Sequence, residues 1–344
     1  MDGQSDLPLV SAIVAMRNEE AFIGKCLDSL AAQEYPSALL EVLVVDGRST
    51  DRSREVVSAK QERMPHLRLL DNERRISPAA FNIGLREAGG QVVMIISAHC
   101  YLAPDYVSSC VEYLSKTDAD CVGGPIETIG ETDTARAIAL AMSSPFGVGD
   151  ALFRYSEREQ YVDTLAFGAY RREVFDRVGL FDEELVGSED DEFNYRLRSH
   201  GGKLLLTPAI KSFYYGRGSF AALCRQYFRY GLGKVRVVAK HPKLVRLRHL
   251  IPALFVASLV LSAPLSLFSP WFVLLLATIL GCYVLVSILA SVLIAAREGW
   301  RYLPLLPPAF ACLHLSYGAG FLLGAGRFLM QRVTRPRRER AGDE

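Results

Sequence analysis

A chain of 344 residues, half of them hydrophobic and with a formal net charge of +1, has room for one sizeable soluble domain and an apolar appendage. Its basic residues gather beside the apolar segments and in the tail, and the absence of a broad cationic field excludes nucleic acid as a partner. Seven cysteines (Cys26, Cys100, Cys110, Cys121, Cys224, Cys282, Cys312), widely spaced, odd in number and without a CxxC pair, exclude a disulfide framework or a zinc knuckle. They read as small core residues in a reducing compartment. The N-terminal stretch MDGQSDLPLV is acidic and has no apolar run, so it does not read as a signal peptide, and the soluble part is expected in the cytoplasm.

From Val10 onward short apolar runs alternate with amphipathic stretches, the rhythm of parallel strands joined by crossover helices, which predicts an α/β domain. Strands are expected over Ser11 to Met16, Glu41 to Asp46, Leu67 to Asp71 and Gln91 to Ile96, each apolar almost throughout, as strands covered on both faces are. Between them a first helix, Glu19 to about Gln33, sets Phe22, Ile23, Cys26, Leu27 and Leu30 on one face. A second begins after Ser49-Thr50-Asp51, and a third at Ser77-Pro78, a cap followed by proline. Beyond Ala119 the pattern loosens into the pair Gly123-Gly124, an acidic helix start at Ser188 to Glu192 and strands near Lys203 to Thr207. This half is expected to carry the acceptor side of a site.

A basic amphipathic stretch, Phe220 to Lys240, interleaves Phe220, Leu223, Tyr227, Tyr230 and Val237 with Arg225, Arg229, Lys234 and Arg236, a pattern suited to a membrane surface. Three apolar segments follow, Leu250 to Phe268, Trp271 to Ala296 and Leu303 to Gly324, each long enough to cross a bilayer. His241 to His249, the Arg297 to Arg301 turn and the six-arginine tail after Gly326 all carry the charge of cytoplasmic loops, which three crossings cannot satisfy together. Pro304, Pro307, Pro308, His314 and several glycines mark the third segment as re-entrant or interfacial rather than a clean span, leaving two or three crossings.

Residues that carry chemistry collect where strands end. Met16-Arg17-Asn18-Glu19-Glu20 closes the first strand and Asp46-Gly47-Arg48-Ser49-Thr50-Asp51 the second, so both point into the crevice where open α/β sheets bind ligands. Asp46 is placed to accept hydrogen bonds from a base or ribose, while Ser49 and Thr50 read as turn and cap residues. The fourth strand ends in Ser97-Ala98-His99-Cys100. Glu189-Asp190-Asp191-Glu192 opens a helix, either as a dipole-complementing first turn or as a site carboxylate cluster. Gln226 and Arg229, three apart, share a helix face.

Through RNEE, DGRSTD, SPAAFNIG, GSEDDEFNYRL and QYFRY, in that order over Leu9 to Lys240, the chain resembles the family 2 inverting glycosyltransferases of the GT-A fold. Within that family it is most similar to the membrane-anchored glucosyltransferases of succinoglycan-type exopolysaccharide assembly. The resemblance implies a Rossmann-like nucleotide-diphospho-sugar transferase domain over 1–240, a membrane region over 241–326 and a basic tail over 327–344. It implies that Ala15, Arg17, Glu19 and Asp46 line the nucleoside pocket and that Arg75 and Asn82 lie near the base or diphosphate, Arg74 and Arg75 otherwise reading as a solvated pair. Ser97 and His99 occupy the DxD-type element that holds ribose and a divalent metal, Mn²⁺ or Mg²⁺. The relatives carry Asp-Ala-His there, so Ser97 removes a carboxylate, and the imidazole of His99 suits manganese better than magnesium.

By the same resemblance Asp190 is the general base, Glu189 orients the acceptor, and Gln226 with Arg229 covers the donor diphosphate. Tyr230 stands where the family has tryptophan and keeps an aromatic platform. Arg229 has a second reading, as an interfacial cation meeting lipid phosphate. The function implied is inverting transfer of a hexose, glucose from UDP-glucose, onto a lipid-linked oligosaccharide, in company with polysaccharide-assembly proteins. Two alternatives remain open: a processive polysaccharide synthase, and an inactive nucleotide-sugar-binding membrane protein, which the loss at Ser97 keeps in play.

Overall fold

A computed structural model describes residues 7–334. The first six residues of the expected leaderless N-terminus, and the tail arginines from 335 on, lie outside the described residues. The chain forms two compact units, one built from the chain up to 129 with 151–215, the other from 130–150 with 216 onward.

The first unit holds every strand found among the described residues. β1 (Val10–Met16), β2 (Leu40–Asp46), β3 (Leu67–Asp71) and β4 (Val92–Ser97) run parallel, over the four apolar runs read from the sequence. Met16 pairs with Asp46 and Asp46 with Asp71, so three strands end level. The crossover helices are α1 (Ile23–Ala31), α2 (Ser53–Gln61) and α3 (Ser77–Glu87). α1 starts later than the periodicity predicts, because the Glu19 carbonyl accepts the N–H groups of both Phe22 and Ile23 in a turn before it. β5 (Cys100–Leu102), α4 (Tyr106–Lys116), β6 (Cys121–Gly123), β7 (Ile126–Ile129), β8 (Gln160–Val162), β9 (Ala169–Arg171), α7 (Glu173–Val178), α8 (Glu189–Ser199), β10 (Leu204–Leu206) and β11 (Ser212–Tyr215) complete it.

Eight strands join in the order β3-β2-β1-β4-β9-β6-β10-β8, and β5-β11-β7 form a smaller sheet. Both faces of the large sheet are covered, which is why its central strands are apolar without alternation. Ala12, Val14, Leu27 and Tyr106 fill one face, and Ile13, Leu43, Val93 and Phe193 the other. Gly84 lets α3 lie against β1, since a Cβ there would collide with Ile13. Cys26, Cys100, Cys110 and Cys121 are buried free thiols, and burial pushes the last three well up from the ordinary thiol range.

The second unit is helical: α5 (Asp133–Met142), α6 (Pro145–Val148), α9 (Phe220–Lys240), α10 (Leu247–Leu265), α11 (Pro270–Glu298) and α12 (Leu306–Thr334). α10, α11 and Leu306–Gln331 of α12 are long and apolar enough to cross a membrane. Large apolar side chains such as Leu254, Leu261, Trp271, Leu285 and Leu289 stand exposed on the first two, as lipid-facing residues do. The irregular third segment expected from its prolines is a continuous helix. Pro307 and Pro308 sit in its first turn, where no backbone donor is lost from the ladder. Its glycines serve packing: a Cβ at Gly320 would strike the Phe228 carbonyl of α9, and one at Gly318 the Pro252 carbonyl of α10. Gly231 of α9 meets the Tyr317 carbonyl in the same way.

Spatial compactness divides the chain differently from the linear boundary expected at residue 240. α9 groups with the helices, together with the stretch 130–150, whose Ile138 and Met142 share a core with Leu223, Phe310 and Leu313. Ion pairs join the same pieces: Asp150 meets Arg246 at 3.2 Å and Arg248 at 3.0 Å, and Arg136 meets Glu298 at 3.0 Å.

Candidate active site

Four non-glycine residues among those described have left-handed backbone, and three of them stand just past strand ends: Asn18 (φ 55°), Arg48 (φ 59°) and Arg75 (φ 59°). Each such conformation costs about 1–3 kcal/mol and persists only where its surroundings hold it. The holding contacts run between the loops after β1 and β2. Ser49 Oγ accepts the Asn18 N–H at 2.8 Å, Asn18 Oδ1 accepts the Thr50 N–H at 2.8 Å, and Ser53 Oγ accepts the Glu19 N–H at 2.7 Å. Asp51 takes the Glu20 N–H at 3.1 Å and, on its other oxygen, the Ser53 hydroxyl at 2.6 Å. Burial opposes ionisation of Asp51, but these hydrogen bonds prevail and hold its carboxyl below the ordinary range.

Asp46 is 0% exposed. The Ser49 N–H lies 3.2 Å from both of its oxygens, Ser49 Oγ donates to one at 2.5 Å, and Arg54 Nη1 donates to the other at 2.7 Å. The same Arg54 nitrogen reaches Asp71 at 2.7 Å, so one guanidinium bridges the carboxylates that end β2 and β3. Asp46, expected to face a base or ribose, here accepts hydrogen bonds from its own turn and from Arg54. Arg54 lies outside any motif, and only the packing of α2 reveals it. Arg17 and Arg75 come together over Gly47, where a Cβ would stand 3.3 Å from the Arg17 side chain and 3.4 Å from the Arg75 backbone. Both arginines are exposed beside the half-buried Ala15 at the end of β1.

Asn82, expected near the base or diphosphate, is a buried residue of α3. It is 2% exposed; its amide donates to the Phe181 carbonyl at 2.9 Å and to Glu183 at 2.8 Å, and its oxygen accepts the Phe181 N–H at 2.9 Å. Arg74, exposed like Arg75, pairs with the same Glu183. These bonds tie α3 to the loop leading into α8. At the start of α8, Glu189 is 8% exposed, accepts the Ser77 hydroxyl on one oxygen, and has its other oxygen buried with no hydrogen-bond partner. Asp190 follows, partly exposed, with one oxygen accepting the Asp191 N–H at 2.8 Å. The helix is anchored behind them by Asn194, which accepts the Tyr170 hydroxyl at 2.8 Å and donates to Thr164 and to the Leu165 carbonyl. Glu192, 0% exposed, is neutralised by Arg196 at 2.5 Å, so it serves the helix and not the crevice.

The sequence model of glycosyl transferase family 2 matches residues 11–179. The succinoglycan biosynthesis protein ExoA of Rhizobium meliloti (strain 1021) is 30% identical over 90% of this chain and 92% of its own length. The chain belongs to glycosyl transferase family 2. A dolichyl N-acetyl-alpha-D-glucosaminyl phosphate 3-beta-D-2,3-diacetamido-2,3-dideoxy-beta-D-glucuronosyltransferase of Methanococcus voltae is 31% identical over 67% of this chain and 74% of its own length. The mannosyltransferase PcManGT of Pyrobaculum calidifontis, solved with GDP-Man and Mn²⁺, shares the fold with a TM-score of 0.57 and 22% identity, over 91% of this chain and 88% of that one. The first unit of this glycosyltransferase therefore has the GT-A-like α/β architecture.

At the DxD-type position the glycosyltransferase ends β4 on Ser97, and its hydroxyl lies 3.2 Å from His99 Nδ1. Glu19 reaches the same ring nitrogen at 3.1 Å, bringing the ends of β1 and β4 together. The His99 ring meets Tyr214 of β11 edge-on, with centroids 4.9 Å apart. Among the described residues no group of three or more His, Cys, Asp or Glu is placed to hold a metal. In the second unit Gln226 is buried on α9 and donates to Tyr230 Oη at 2.9 Å, while Arg229 is exposed.

Proposed function

We propose that this glycosyltransferase moves a hexose, glucose from UDP-glucose, onto a lipid-linked oligosaccharide at the cytoplasmic face of a membrane, with inversion. The observation that carries the reading is the start of α8: a buried Glu189 oxygen that lacks a hydrogen-bond partner, followed by the partly exposed Asp190. A buried carboxylate oxygen wants a donor, and a sugar hydroxyl is one. Glu189 then orients the acceptor, and Asp190 removes the proton as the acceptor oxygen attacks the anomeric carbon. The bond from that carbon to the phosphate oxygen breaks in the same displacement, the nucleoside diphosphate leaves from the opposite face, and the configuration inverts.

Arg17 and Arg75 suit the base, as planar donors that stack on or hydrogen-bond a pyrimidine. Ala15 leaves room beside them. Gln226 and Arg229 are assigned to the donor diphosphate on the strength of the QYFRY resemblance. A divalent metal would find one imidazole nitrogen, His99 Nε2, which also lies 3.3 Å from Ser97 Oγ, with Nδ1 3.1 Å from a Glu19 oxygen that would orient the ring. Such a ligand would suit Mn²⁺, whose charge would offset that of the leaving diphosphate. The ExoA relative supports work in exopolysaccharide assembly, and the dolichyl phosphate in the archaeal relative's name supports a lipid-linked acceptor.

The test is transfer of labelled sugar from a panel of nucleotide donors to membrane lipid extract, with Mn²⁺, Mg²⁺ or neither, by the wild type and by Asp190→Asn. Labelling of a lipid-linked saccharide that Asp190→Asn abolishes is the expected result. Donor binding without turnover under any metal would overturn it in favour of a binding protein.

A further inference from the structure

Arg154 lies in a short turn, Leu152–Arg154, that no motif covers and no step above uses. Its Nη1 is shielded from solvent and has no hydrogen-bond acceptor. The guanidinium rests instead on two aromatic rings, 5.1 Å from the centroid of Phe153 and 6.0 Å from that of Tyr214. Tyr214 is the ring that meets His99, and His99 contacts both Ser97 and Glu19. A continuous row therefore runs from the DxD-type position through an imidazole and a phenol ring to a cation with a buried, unsatisfied donor.

That row has a physical logic. A guanidinium with a shielded N–H is costly unless an acceptor arrives, and the strongest acceptors for its planar fork are the oxygens of phosphate or carboxylate. Ring stacking holds the group in place without neutralising it, so its charge remains available to a ligand. The position at the end of β4 carries a hydroxyl at Ser97 and an imidazole at His99, one acid fewer than a two-carboxylate metal site, so a cation fixed nearby has charge to supply there. We propose that Arg154 is an anion-holding residue of this site, donating from Nη1 to the diphosphate of the nucleotide donor and stabilising it as it leaves. The nucleotide part of this inference rests on the function proposed above; the anion part rests on the geometry alone.

The full-length enzyme in detergent, titrated calorimetrically with inorganic pyrophosphate, UDP and uridine, tests it in EDTA and again with Mn²⁺. In EDTA, Arg154→Gln is expected to weaken pyrophosphate and UDP about tenfold, with uridine unchanged and the melting temperature close to wild type. Arg154→Lys, which keeps a charge without the fork, should fall between. Manganese should narrow the difference, since it supplies the same neutralisation. Unchanged pyrophosphate affinity in both variants, or no pyrophosphate binding by the wild type, overturns the proposal. Equal loss of UDP and uridine also overturns it, showing a structural role. Pyrophosphate binding that depends on Arg154, with no nucleoside diphosphate bound, would sustain the anion site and sink the donor reading instead.

Discussion

The two units hold themselves together by opposite means. In the sheet unit, buried polar side chains join separate elements: Asn82 with Phe181 and Glu183, Asn194 with Tyr170 and Thr164, and, nearer along the chain, Asp46 with Arg54. In the helical unit, glycines let backbones meet, Gly231 against the Tyr317 carbonyl and Gly320 against that of Phe228, and the ion pairs Asp150–Arg246 and Arg136–Glu298 tie its segments together. The difference follows from the surroundings each faces. Helices in lipid gain little from burying apolar surface against one another, so close shape supplies the contact. A domain in water buries a polar group at low cost only where partners are provided, and such networks fix loops.

Several substitutions break or sharpen that contrast. Asp190→Asn should lower transfer by about 10²–10⁴-fold, the usual scale of a lost general base, while nucleotide affinity and melting temperature stay near wild type. A parallel loss of binding would show that the residue supports the fold. Gly231→Leu should fail differently, removing folded protein from detergent extracts, because the added side chain has to displace the Tyr317 backbone. Gly281→Ala on α11, whose Cβ would meet nothing within 4 Å, is the neutral control, checked by the same size-exclusion profile.

Asn82→Ala should cost about 1–3 kcal/mol in chemical unfolding, by stranding the Phe181 backbone groups and Glu183, and leave the affinity for UDP unchanged. A selective loss of nucleotide affinity would restore the contact expected from the sequence. The smallest effect is in acid. The Asp51 carboxyl sits below the ordinary value of 3.8. Burial opposes the ionisation of Asp150 as well, but Arg248 and Arg246 overcome it and lower that group too. Groups with lowered values contribute stability above the unfolded value and lose it as pH falls through the folded one. Unfolding followed below pH 3.8 should therefore steepen in the wild type and less so in Asp51→Asn and Asp150→Asn, which lack the titrating group.

Strands β1 to β4, the spans of α10 and α11 and the order of the motifs were legible because each is local: an apolar run, a length, a string of adjacent residues. The prolines of the third segment did not reveal its continuous helix, since their meaning depends on which turn of a helix they occupy. Asp46 and Asn82 could be named as residues of interest but not given partners, because Arg54, Glu183 and Phe181 are brought to them by helix packing across up to about a hundred residues of chain. The grouping of 130–150 with α9 is of the same kind.

Periodicity and composition by themselves determined the α/β domain and the apolar helices, since backbone hydrogen bonding and burial act on neighbours along the chain. Tertiary structure alone decided which carboxylates are already paired, which Glu189 oxygen is buried without a hydrogen-bond partner and where the unsatisfied guanidinium nitrogen of Arg154 lies. Satisfaction of a buried polar group is a property of everything around it, and no local pattern carries that information.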